Sequence, residues 1–82
     1  MFKVDYSNQA LKFLKGCDKI LVRRILDKIN ILKEKPFISD VKILSSNFYR
    51  VRVGSICILY EVDYRDNLLG IVKIDKRSKV YD

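Results

Sequence analysis

The chain has 82 residues, with 17 Lys and Arg against 10 Asp and Glu for a formal charge of +7, and it contains no histidine. A chain of this length buries only roughly 60 to 65% of its unfolded surface, which allows one modest core and excludes a deep cleft between two domains. Hydrophobic residues at 49%, charged residues at 33%, one Pro and three Gly give the balance of a single domain, residues 1–82, folded throughout. No apolar run approaches the roughly 20 residues of a membrane span, and MFKVDYSNQ lacks the layout of a secretory signal, so a cytoplasmic location is expected. Cys17 and Cys57 have no CxxC spacing and no His beside them, which signals neither a redox pair nor a metal centre; no cofactor is expected.

Phe2 to Tyr6 alternates apolar and polar residues, with Phe2, Val4 and Tyr6 on one face, and predicts a short strand that pairs with one from the other end of the chain. Asn8 to Lys15 then places Ala10, Leu11, Phe13 and Leu14 at helical spacing behind Ser7 as cap, with Gly16 as the stop. Asp18 is placed to cap a longer helix reaching about Lys35, in which Leu21, Ile25, Ile29 and Leu32 form the apolar stripe and Pro36 the terminator. Its opposite face carries Lys19, Arg23, Lys28 and Lys33, the pattern of an ordinary solvated helix face.

From Phe48 the period changes to two. Tyr49, Val51 and Val53 point to one side, Phe48, Arg50 and Arg52 to the other, and Gly54-Ser55 supplies a two-residue hairpin. Ile56, Ile58, Tyr60 and Val62 form the next apolar face, opposite Cys57, Leu59 and Glu61. Arg65, Asp66 and Asn67 turn the chain into a last strand, Leu68 to Asp75, with Leu68, Val72 and Ile74 expected toward the core. The sum is an α+β fold of two layers, β-α-α-β-β-β, with two N-terminal helices packed on one face of a small, mainly antiparallel twisted sheet. Its open face gathers Arg50, Arg52, Lys73 and, beyond the strand, Arg77. Arginine forks grip phosphate oxygens at two points and keep their charge, and the net charge favours phosphate-rich or acidic partners.

FYRVRVG at 48–54, ILYEVD at 58–63 and KRSKVYD at the end resemble the RelE toxins of bacteria and archaea, within the superfamily that includes the ParE toxins. The order of elements agrees along nearly the whole chain, although only residues 48–63 and 76–81 are specific. The resemblance implies a toxin of a type II toxin–antitoxin pair that cuts messenger RNA in the ribosomal A site. The ribose 2′-OH would attack the adjacent phosphate, with no metal and no imidazole. It implies Arg50, Arg52, Arg77 and Tyr81 as catalytic residues: Arg50 and Arg52 stabilise the phosphate, Arg77 supports it, and Tyr81 stacks on the nucleotide. Lys73, Lys76 and Lys79 are the further RNA contacts. The implied partners are an antitoxin with an acidic segment, the ribosome and messenger RNA, with no membrane.

One departure stands out. The family commonly has an aromatic and then Arg where this chain has Ile56 and Cys57, and loss of one such donor can cost about 10² to 10³ in rate. The alternatives are a ParE-like toxin that poisons DNA gyrase through protein contact, or a catalytically degenerate member that only binds an antitoxin.

Overall fold

In the computed structural model, which describes residues 1–76, the elements run β1 (Lys3–Tyr6), α1 (Asn8–Lys15), α2 (Lys19–Glu34), β2 (Lys42–Ser45), β3 (Phe48–Val53), β4 (Ile56–Asp63) and β5 (Leu68–Lys76). They build a five-stranded sheet in the order β1-β5-β4-β3-β2. β1 lies parallel to β5, and every other neighbouring pair is antiparallel. The two-layer α+β architecture expected from the sequence is present, with one strand more. β2 escapes period reading because KILS does not alternate and all four of its residues are exposed. Its strand geometry follows from pairing with the start of β3 rather than from a buried face of its own.

The helices begin and end where local chemistry dictates. The Ser7 side chain accepts from the Ala10 amide at 3.1 Å, and Asp18 Oδ1 accepts from the Leu21 amide at 2.8 Å, each satisfying a donor that the first turn leaves free. Lys35, the residue before Pro36, is extended at φ −136°, ψ 97°, as the proline ring demands of its predecessor, and α2 ends there. The β3–β4 turn has Gly54 at φ +60° followed by Ser55 at negative φ, the pattern of a type II′ hairpin.

The core joins Ala10 of α1 and Ile25, Ile29 and Leu32 of α2 to Tyr49, Val51, Val53, Ile56, Ile58, Tyr60 and Val62 of the β3–β4 hairpin. β5 contributes Leu69, Ile71 and Ile74, whereas Leu68 and Val72, expected inside, stand 36% and 38% exposed. The reason is a β-bulge. Tyr60 pairs with Ile71 but Leu59 pairs with Lys73, so Val72 is an extra residue and the inward parity switches from odd to even numbers there.

The N-terminus of α1 closes this irregularity. Ser7 donates its hydroxyl to the Val72 carbonyl at 2.7 Å and its amide to the Ile71 carbonyl at 2.9 Å. The Gln9 side-chain amide donates to the Ile74 carbonyl at 2.8 Å and accepts from the Ile74 amide at 2.9 Å. A primary amide thus continues the hydrogen bonding of β5 beyond the end of β1, whose pairing stops at Ile71.

Candidate functional site

Directly opposed residues in a sheet put their side chains on the same face, so the strand register arranges the polar face in rows. One row reads Lys42, Arg50, Leu59, Lys73 across β2, β3, β4 and β5. The next reads Arg52, Cys57, Asp75. Neighbouring strands lie about 4.8 Å apart, so each row is a line of groups one strand-width from the next.

Arg50, Arg52 and Lys73 therefore share the face predicted for them, but not on equal terms. Arg52 is exposed, whereas Arg50 is only 8% exposed. In the sheet Arg50 is flanked on both sides, by Lys42 and Leu59, while Arg52 lies past the last residue paired with β2. No buried side-chain nitrogen or oxygen among the described residues lacks a hydrogen-bond partner. Lys73 reaches the outer face because of the Val72 bulge; unbroken alternation from Leu69 and Ile71 would turn it inward.

Lys76 does not join this face. It stands opposite the buried, helix-facing Ile56 and lines a groove with Lys12, Phe13, Cys17 and Asp18 on the helix side of the sheet. Arg77, Lys79 and Tyr81 lie outside the described residues.

Cys57, at the position where the departure from the resemblance falls, is fully buried yet not a member of the core cluster, since Ile56 and Ile58 on either side face the helices. An arginine placed there would need room that the thiol does not occupy. The other thiol, Cys17, is half-buried and lies within hydrogen-bonding distance of the Phe13 carbonyl at 3.2 Å. Burial, with the Asp18 charge second, pushes its ionisation up, which disfavours the nucleophilic thiolate.

Three residues of this region were not singled out by sequence reading. Lys42 enters the first row only because β2 exists. Asp75 places a carboxylate in the same row as Arg52, two strands away across Cys57. Arg24 of α2 lies against the β3–β4 turn, where a Cβ added to Gly54 would stand 3.1 Å from Arg24 Nη2. Register and tertiary contact, not residue spacing, disclose all three.

Residues 4–81 match the family described as the ParE toxin of the type II toxin–antitoxin system, parDE. A protein of Methanocaldococcus jannaschii assigned as toxin RelE1 is 32% identical over 85 residues, covering 98% of this chain and 94% of its own. Among solved structures, a chain of the archaeal RelE–RelB complex from Pyrococcus horikoshii OT3 superposes with a TM-score of 0.86 at 28% identity, covering 95% of this chain and 97% of its own. The isolated E. coli RelE toxin superposes with a TM-score of 0.83 at 20% identity, over 99% and 92% of the two chains, a likeness of fold. A match along nearly the whole sequence, a relative of near-equal length and a shared sheet and helix arrangement agree: this chain belongs to the RelE family, within the RelE/ParE superfamily of type II toxin–antitoxin toxins.

Proposed function

We propose that this toxin is an endoribonuclease that cuts messenger RNA on the ribosome without a metal ion, and that an antitoxin carrying an acidic segment silences it in the cytoplasm. The single observation that carries the reading is the cationic sheet face, on which Lys42, Arg50 and Lys73 fall in one row and Arg52 in the next. In the reaction the ribose 2′-oxygen bonds to the adjacent phosphorus, the bond from phosphorus to the 5′-oxygen breaks, and the products are a 2′,3′-cyclic phosphate and a 5′-hydroxyl. The proton of the 2′-OH must leave and the 5′-oxygen must gain one. Guanidinium groups are poor proton acceptors, so Arg50 and Arg52 act by neutralising the charge that grows on the phosphorane. Arg77 supports the same phosphate and Tyr81 stacks on the nucleotide, roles assigned through the resemblance; Lys73 and Lys79 hold the RNA backbone.

The antitoxin follows from membership of a toxin–antitoxin family and from the solved relatives, which include RelE–RelB complexes. A +7 chain favours an acidic segment in that partner. A second reading, gyrase poisoning, is favoured by one observation: the matching family is the one described for ParE toxins.

Induced expression in a bacterial host, with mapping of messenger RNA 5′ ends, tests the proposal. The natural chain is expected to arrest growth and create new ends within translated codons, and Arg52→Ala to lower cleavage by about 10² to 10³. Arrest accompanied by gyrase-dependent DNA breaks and no new RNA ends would select the ParE-like reading. Tight antitoxin binding without arrest would mean that the buried Cys57 marks a chain whose chemistry has been lost.

A further inference from the structure

Around the edge of the sheet from the polar face lies a second cationic feature, of which the proposed reaction uses only Arg52. α2 presents Arg24, Asp27, Lys28 and Ile31 at helical spacings of three and four, on one side of the helix. Together with Arg52, Val53 and Gly54 these residues line an open cleft of about 320 Å³. The Arg24 guanidinium lies against Gly54, with Nη2 and Nη1 3.1 and 3.5 Å from the point a Cβ would occupy. The positive φ of Gly54 and the missing side chain together let it settle there.

The cleft's cations differ in availability. Lys28 Nζ is held by Asp40 Oδ2 at 2.9 Å. Arg24 and Arg52 are exposed and make no ion pair among the described residues. The main chain adds a donor. β2 pairs with β3 only as far as Arg50, and Val53 and Ile56 close a two-residue hairpin, so the amide of Arg52 points away from β4 toward the open edge.

We propose that this cleft is a second phosphate subsite for RNA, in which Arg24 and Arg52 grip a phosphodiester next to the one at the sheet face. The inference rests on the ribonuclease reading and extends it: Arg52 borders both places, so a single strand crossing the sheet continues round the edge of β3 onto α2. A nucleic-acid strand fits the cleft better than a peptide. Peptides that add to a sheet edge gain specificity from apolar side-chain pockets, whereas among the described residues the only exposed apolar one lining this cleft is Ile31. Two arginine forks that share no carboxylate suit a phosphate.

The test is binding of a single-stranded oligonucleotide that carries 2′-deoxyribose throughout, which cannot be cut, measured over a range of salt concentrations. The natural chain is compared with Arg24→Ala and with Arg23→Ala. Arg23 is on the same helix and its loss changes the net charge equally, but it borders a different groove with Cys17, Lys19, Val22 and Leu26. Arg24→Ala is expected to weaken binding about tenfold and to lower the salt slope by about 0.7, the value for one phosphate contact on a single strand, while Arg23→Ala leaves the slope unchanged. Equal slopes for the two variants would overturn the subsite and leave the ribonuclease reading to its cleavage assay. Loss of polyglutamate binding by Arg24→Ala with an unchanged oligonucleotide slope would also overturn it, in favour of an acidic peptide. Absence of oligonucleotide binding by the natural chain at low salt would likewise overturn the subsite and leave the ribonuclease reading to its cleavage assay.

Discussion

Arg50 and Arg52 are two residues apart on one strand and share a face, yet they should respond differently to the same substitution. Arg52→Ala removes an exposed side chain past the end of β2 and should leave stability within about 0.5 kcal/mol. Arg50→Ala empties a buried position between Lys42 and Leu59 and should cost about 1–3 kcal/mol. Urea denaturation of both variants checks this, and it decides whether lost toxicity at Arg50 reports chemistry or folding. Tyr60 offers a second case. Its hydroxyl donates to the Pro36 carbonyl at 2.6 Å and its ring stacks on Tyr49 with centroids 5.4 Å apart. Tyr60→Phe keeps the ring, leaves that carbonyl without its donor, and should destabilise by about 1–2 kcal/mol. Burial also holds the Tyr60 phenol, with those of Tyr6 and Tyr49, above its ordinary value near 10. The unfolded chain then loses these protons first as pH rises. The stabilising contribution is complete below about pH 10 and is lost as pH climbs from there toward the folded-state values, so alkaline denaturation should be less steep in Tyr60→Phe.

At the level of elements, the irregular strand β5 depends on α1. Gln9→Ala removes both hydrogen bonds that its amide makes to Ile74 and exposes a strand edge within a partly buried setting, at an expected cost of about 1–3 kcal/mol. Amide hydrogen exchange should show the Ile74 N–H losing protection in that variant ahead of β3 and β4. This contact also shows where the sequence was legible. α1 and α2 could be read to the residue at their starts, because Ser7 and Asp18 are capping residues that act locally and Pro36 blocks continuation. β3 and β4 could be read because Tyr49 to Val62 alternates cleanly over two buried strands. β5 could not be read to the same depth: Leu68, Leu69, Ile71 and Val72 offer apolar residues on both parities, and only pairing with β4 decides between them. β2 left no periodic trace because neither of its faces is covered. The candidate site divides the same way. Arg52 was legible from alternation, whereas the outward face of Lys73, set by the Val72 bulge, the burial of Arg50, the inward face of Lys76 and the approach of Arg24 to Gly54 depend on neighbours far away in sequence.

The whole molecule is a cation with its charge spread over both the sheet face and α2, and this bears on how it meets a partner. Capture by an acidic antitoxin segment should be fast at low salt and slow by at least tenfold between low and high ionic strength, as stopped-flow mixing would show. A salt-independent rate would mean that apolar contact, not charge, guides the encounter. The pairing of β1 with β5 has a different consequence, one of timing. Among the described residues the first strand, β1, has β5 as its only strand neighbour, and Ser7 and Gln9 must wait for the carbonyls of Ile71 to Ile74. While the polypeptide is still being synthesised, its N-terminal third therefore has no sheet to join, and a product that stops short of residue 68 leaves β1 unpaired. A toxin of this family thus becomes structurally competent only once the strand from Leu68 onward has been made.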